Sequence, residues 1–140
     1  MKNYQKLELG QPSTWNQSTF AHEGIELPGK RFVQTELGLT GSELSVNGMS
    51  PGESMPALHK HKTNEEVYLF IGGHGQFVVD GEQFDVGPGS IVRVDPAGAR
   101  AWRNNGTEEL LFVVFQTSTE SSVGPTISDG ELLSQELVWK

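Results

Sequence analysis

Between closely spaced turn signals the chain carries short runs rich in β-branched and aromatic residues: Glu43 to Val46, Val67 to Ile71, Gln76 to Val79, Gln83 to Val86, Ser90 to Val94 and Leu110 to Gln116. Each has strand length, and no ten-residue helical pattern interrupts the series. The punctuation is supplied by Gly38 to Gly41, Asn47-Gly48, Asp80-Gly81, Gly87-Pro88-Gly89, Pro96-Ala97-Gly98 and Asn104-Asn105-Gly106. Asp80-Gly81 predicts a tight hairpin, because a type I′ turn needs positive φ at both central residues. Regularly spaced short strands without helices predict an antiparallel sandwich or barrel. The stretch through Lys30, with Trp15, Phe20 and His22, is less regular and is expected to wrap the barrel or cross to a partner subunit. The tail from Thr117 begins polar and ends Glu136-Leu137-Val138-Trp139-Lys140, which reads as an edge strand.

Candidate chemistry concentrates just before and within the second of these runs. His59 and His61 are two apart, and in extended backbone such residues share a face. Lys60 and Lys62 then point outward and both histidines inward. Neutral imidazole suits Fe, Mn, Ni, Cu or Zn, and a carboxylate from an adjacent strand adds an anionic ligand. Glu65 and Glu66 both follow at workable spacing. The bland alternative is a pair of surface histidines and a solvated strand start. Against it, Tyr68 and Phe70 alternate with Glu66 and look core-facing, so an inward Glu66 requires a partner. His22 and His74 fall outside this pattern and read as surface residues. Gly73-His74-Gly75 lacks the third glycine and the helix of a dinucleotide fingerprint. Ser50, Ser54 and Ser90 have no evident His and Asp companions, so a serine triad is unsupported.

Gly52, His59, His61, Glu66 and Gly73 resemble the first motif of the cupin superfamily: a glycine, His-x-His, three or four residues, a glutamate, six residues and a glycine. Gly52 lies one residue further upstream than usual. The segment from Gly73 to Glu82 resembles the family's G-x-G-x-F-x-V-D-G-E hairpin, and that register selects Glu66 over Glu65. The resemblance covers roughly 37–116. It implies an all-β, double-stranded β-helix (jelly roll) in a single cupin domain, with a barrel core at about 37–116, an N-terminal wrap at 1–36 and a C-terminal tail at 117–140. It also implies one divalent metal, Fe, Mn, Ni or Zn, on His59, His61 and Glu66. Cupins include oxygenases, decarboxylases, isomerases, sugar binders and storage proteins, so no one activity follows. A group of bacterial single-domain cupins shares Gly38-Leu39-Thr40-Gly41 and Trp102-Arg103-Asn104.

The family's second motif, roughly G-x5-P-x-G-x2-H-x3-N, resembles the stretch from Gly89 to Gly106, but no histidine stands in it. Counting from Pro96 places the missing ligand at Ala101, and counting back from Asn104 places it at Arg100. Strand alternation favours the second, sending Arg100 and Trp102 to one face and Arg103 to solvent. A guanidinium stays protonated and cannot coordinate a metal, yet it pairs with carboxylates. Two outcomes stay open. A metal sits on His59, His61 and Glu66, or an Arg100–Glu66 ion pair replaces it and the pocket takes an anion or another polar molecule. Arg100, Tyr68 and Trp102 are the candidate contacts for that ligand, although aromatics at such positions are more often core.

Composition narrows the setting. The 140 residues contain no cysteine, which excludes disulfides, a thiolate nucleophile and a zinc finger. A net charge of −8 disfavours nucleic acid, and no run suits a membrane span. The composition points to a cytoplasmic protein, and the resemblance implies a homodimer, pairing through exchanged edge strands, that acts on a small molecule either as a metal-dependent enzyme for an organic acid or other polar metabolite, or as a non-catalytic binding module for an anion or sugar. A third reading is a metal-free epimerase or isomerase using His59 or His61 as base.

Overall fold

The Asp80-Gly81 dipeptide turns the chain with φ of 50° and 87°, as a type I′ turn requires, and joins β6 (Gly75–Val79) to β7 (Glu82–Val86). That hairpin is one piece of a structure known here from a computed structural model, which describes residues 2–122, 131–134 and 137. The sequence-predicted edge strand at 136–140 lies outside the described residues except for Leu137.

A 3-10 turn (Pro12–Gln17) leads into a hairpin of β1 (Thr19–His22) and β2 (Ile25–Pro28). Next come β3 (Lys30–Phe32), a single turn of helix α1 (Gln34–Leu37), and β4 (Glu43–Met49). The rest is β5 (Asn64–Gly72), the β6–β7 hairpin, β8 (Ile91–Val94), β9 (Arg100–Arg103) and β10 (Leu110–Ser118). One sheet has the order β3-β4-β10-β5-β8 and a second the order β7-β6-β9, with every pairing antiparallel.

The expected "less regular" N-terminal stretch is more ordered than its sequence suggests. Its ordering comes from close backbone approach. Gly29 has φ of 68°, and a Cβ there would stand 1.8 Å from the Gly48 carbonyl oxygen. Gly48 in turn lies under the 3-10 turn, where a Cβ would meet the Asn16 nitrogen at 2.7 Å. Glycine at both positions lets β3 join the edge of β4 while the N-terminal turn packs on β4.

Register defines the inner face of the larger sheet. Phe112 stands opposite Asn47 and Phe70, and Val114 opposite Ser45 and Tyr68. Tyr68, Phe70, Phe77, Trp102, Leu110, Phe112 and Val114 form the core with Val86 and Val94. Phe77 is its centre. Its ring stacks on Phe84 and Trp102, each at 5.7 Å between centroids, and meets Tyr68 edge-on at 4.9 Å. The same inner face becomes polar toward the start of β5, where Glu43, Gln116 and Glu66 occupy one row across β4, β10 and β5. Among the described residues no helix is long and apolar enough to cross a membrane.

Candidate metal centre and polar pocket

Glu66 is the hub of that polar end. It faces inward because it alternates with Tyr68 and Phe70 on β5, and it is 4% exposed. One oxygen, Oε1, receives three neighbours. The Tyr68 hydroxyl donates to it at 2.7 Å, Arg100 Nη2 donates at 2.8 Å, and His61 Nε2 stands at 2.9 Å. The last contact lacks hydrogen-bond geometry, so that imidazole nitrogen is buried without a hydrogen-bond partner. His59 Nε2 is further off at 3.8 Å, an electrostatic contact, and His59 Nδ1 is likewise buried without a partner.

The histidines do not lie on a regular strand, although their sequence spacing suggested one. They stand on an extended segment that pairs with β9 through an isolated bridge between His59 and Arg100, with His59 N–H donating to Arg100 O at 3.0 Å and the reverse bond at 2.9 Å. His61 N–H is held by Pro96 O at 2.9 Å. Pinned this way, His59 and His61 alternate inward and Lys60 and Lys62 are exposed. The imidazoles remain partly open, with side-chain exposures of 34% and 26%. They roof Glu66 from the solvent side.

Arg100 is fully buried and is the largest side chain so enclosed. Its register on β9, opposite Val79 with Trp102 opposite Phe77, turns both residues inward and leaves Arg103 exposed. Burying a guanidinium is costly unless its donors are matched. Here Nη1 donates to Gly98 O at 2.8 Å, Nη2 to Glu66, and Nε lies 3.5 Å from the Tyr68 hydroxyl. Gly98 is part of the match, since a Cβ there would press on Val94 Cγ1 at 2.8 Å.

These neighbours set the protonation states. Burial raises the Glu66 carboxyl, but His59, the Tyr68 hydrogen bond, His61 and Arg100 together outweigh it and hold the pKa at about 2. Burial also lowers His61, helped by Arg100 and His59 and opposed by Glu66, which keeps its imidazole in the neutral form that ligates metals. Tyr68 is pushed far up, first by burial and then by the Glu66 charge, so it stays a donor.

Of the sequence-selected residues, the structure thus brings His59, His61, Glu66, Arg100 and Tyr68 into one cluster. Trp102 is 8% exposed and reaches it through His59, ring to ring at 5.6 Å. His22 and His74 are exposed and elsewhere. The ligand atoms of His59, His61 and Glu66 lie within 4.8 Å of one another. Two imidazoles, one carboxylate and buried ring nitrogens lacking hydrogen-bond partners suit a divalent ion such as Fe, Mn, Ni or Zn.

Sequence reasoning missed a second polar group on the same inner face: Lys30, Glu43, Ser45 and Asn47. Lys30 Nζ donates to Ser45 Oγ at 3.0 Å and to Asn47 Oδ1 at 3.1 Å. The available signal was inverted alternation in β4, where polar Glu43, Ser45 and Asn47 interleave with apolar Leu44 and Val46. Two cavities have neither histidine in their lining. A hollow of about 160 Å³ borders Ser54, Met55 and Trp102, and a cleft of about 500 Å³ is lined by residues including Phe20, Lys30 and Phe32.

Two facing antiparallel sheets with a His, His, Glu cluster inside define a jelly-roll domain of the double-stranded β-helix type. The family described as "Cupin domain" matches residues 46–115, and the chain belongs to it. A cupin protein of Bacteroides fragilis is 29% identical with a TM-score of 0.76, covering 95% of this chain and 99% of that one. A "predicted oxalate decarboxylase" of Thermotoga maritima is 25% identical with a TM-score of 0.51, over 54% of this chain and 64% of that one. An uncharacterised protein of Methanocaldococcus jannaschii is 35% identical over 63 residues, which is 45% of this chain. The match spans 50% of that relative's length.

Proposed function

We propose that this cupin holds one divalent metal ion on His59, His61 and Glu66 and acts as a small enzyme on an organic acid or another small polar metabolite inside the barrel. The convergence of the three ligand atoms within 4.8 Å, under two partly open imidazoles, carries this reading. Bound there by two neutral histidines and one carboxylate, the metal would supply a Lewis acid with one net positive charge and open positions. The chain's own residues then have distinct tasks. Tyr68 and Arg100 fix the Glu66 carboxylate, Trp102 walls the His59 ring, and His61 stays neutral at ordinary pH.

A second reading rests on the Arg100–Glu66 bond of 2.8 Å. In it the guanidinium occupies the electrostatic place of the metal, and the barrel serves as a non-catalytic binding module for a small anion or sugar. Elemental analysis of untagged protein purified without chelator, beside the His59→Ala, His61→Ala double variant, separates the two. Stoichiometric iron, manganese, nickel or zinc that disappears in the variant is expected. Metal-free protein even after reloading would overturn the first reading and favour the second.

We also propose a homodimer. The outer face of the larger sheet carries Ile91 (66% exposed), Ile71 (42%) and Phe115 (38%), an apolar surface that pairing would cover. A sedimentation mass matching a single chain at micromolar concentration would refute it.

A further inference from the structure

Lys30 and Glu43 both reach the inner face of the barrel, Lys30 through Ser45 and Asn47 and Glu43 one alternation from Ser45 on β4, and neither is fully matched. An ammonium has three N–H donors, and Lys30 commits two of them to Ser45 and Asn47. Asn47 is itself anchored, its Nδ2 donating to Ser45 Oγ at 3.1 Å and Phe112 O at 3.4 Å, so the acceptors around Lys30 are fixed. Glu43 lies on the same face of β4, and its Oε1 is buried without a hydrogen-bond partner. Leaving a buried carboxylate oxygen unmatched is costly, and the cost is relieved by a ligand that donates to it.

We propose that Lys30 and Glu43 form a hydroxyl-binding subsite, and that the ligand of this barrel is polyhydroxylated, a sugar-like polyol or its acid. A hydroxyl both accepts and donates, so the hydroxyls of one ligand can take the remaining Lys30 N–H and give a proton to Glu43 Oε1. A carboxylate in that position would satisfy Lys30 but place a second negative charge against the buried Glu43 oxygen. The row Glu43, Gln116, Glu66 then continues the polar surface over about two strand spacings to the histidine cluster, the reach of a short hydroxylated chain. Lys30 also lines the open cleft on the β1–β3 side, beside Phe20 and Phe32. Burial lowers the Lys30 ammonium to about 8 against the opposing pull of Glu66 and Glu43.

The inference deepens the pocket reading above by naming the ligand class, and it rests on ligand binding inside the barrel, not on the metal. The test is a titration of the full chain, followed by NMR, with three five-carbon probes at millimolar concentration: xylitol, xylonate and glutarate. Xylitol or xylonate is expected to shift the amide signals of Lys30, Ser45 and Asn47, with glutarate binding at least about tenfold more weakly. Xylonate binding more tightly than xylitol identifies an acid, and equal binding identifies a neutral polyol. Glu43→Gln, a shape-preserving change, and Lys30→Met should each weaken binding by about tenfold. Glutarate binding as tightly as the hydroxylated probes, no shift with either of them, or unchanged affinity in Glu43→Gln overturns the proposal. The His59→Ala, His61→Ala variant keeps the outcomes apart. Its loss of metal with the Lys30 shifts retained supports both readings, whereas metal-free wild type with those shifts removes the metal alone.

Discussion

Replacing Arg100 by methionine removes the guanidinium while filling much of its volume, and it isolates what the ion pair contributes. Three donors are lost at once: to Glu66 Oε1, to Gly98 O and toward the Tyr68 hydroxyl. Deleting one partner of a buried pair costs about 3–5 kcal/mol, chiefly because the other charge is left uncompensated. The pKa of Glu66 gives an independent scale. Its descent from 4.5 to about 2 corresponds to about 3 kcal/mol at pH 7 from all its partners together, at about 1.4 kcal/mol per pKa unit. The sign can be followed with pH. A carboxylate whose folded pKa lies below its unfolded value stabilises above pH 4.5, and that contribution fades as pH falls toward 2. In Arg100→Met the folded pKa of Glu66 moves upward, so the variant loses less on acidification and the gap between the two proteins narrows. Urea denaturation of metal-free protein at pH 7 and pH 4 measures both quantities. A loss below about 1 kcal/mol at pH 7, or a gap that widens on acidification, would refute the reasoning, because it would mean that His61 and Tyr68 satisfy Glu66 alone.

Tyr68→Phe deletes a single donor to Glu66 Oε1 at 2.7 Å and should cost about 1–3 kcal/mol by denaturation, with Glu66 titrating at higher pH than in the wild type. Phe77→Ala empties the centre of the aromatic core and should cost about 3–5 kcal/mol, read from the urea midpoint. For Lys30 the sign is opposite to that of Glu66. Its folded pKa is about 8 against 10.5 unfolded, so the folded state sheds the proton first and stability rises with pH from 8 to 10.5, by up to about 3 kcal/mol. Comparing denaturation at pH 8 and pH 10.5 with the same pair in Lys30→Met should show that rise in the wild type alone.

Legibility followed from how local each signal is. Asp80-Gly81 announces its hairpin because the φ requirement sits in two adjacent residues, and the strands from β4 to β8 and β10 follow from β-rich runs bounded by turns. Strand β9 is only four residues, Arg100–Arg103, and two of them are arginines, so composition conceals it. Its inward side chains became visible only through counting within the motif and alternation. Asn104, at the end of that motif, clamps the bend into β10 by donating to Met49 O and Glu108 O, both at 2.7 Å, a role set by contacts distant in sequence. The Lys30 group was hidden for a comparable reason. An inward lysine and an inward serine–asparagine pair contradict the rule that polar residues of a strand face water, and only the pairing of β3 with β4 brings them together.

The two shortest hydrogen bonds of the Arg100 guanidinium, both at 2.8 Å, go to the Glu66 carboxylate and the carbonyl of Gly98. The first belongs to the candidate metal centre and the second to the turn at Pro96-Ala97-Gly98. A cation arriving at Glu66 competes with Arg100 for the same oxygen, so the strength with which the turn retains Arg100 enters directly into the affinity for that cation. With an ion held on His59, His61 and Glu66 as proposed, the turn would work as a tuning element. Two cupins with identical ligands but different backbone at this bend would hold metal with different tenacity, and substitution at Gly98 would alter metal affinity without touching a ligand.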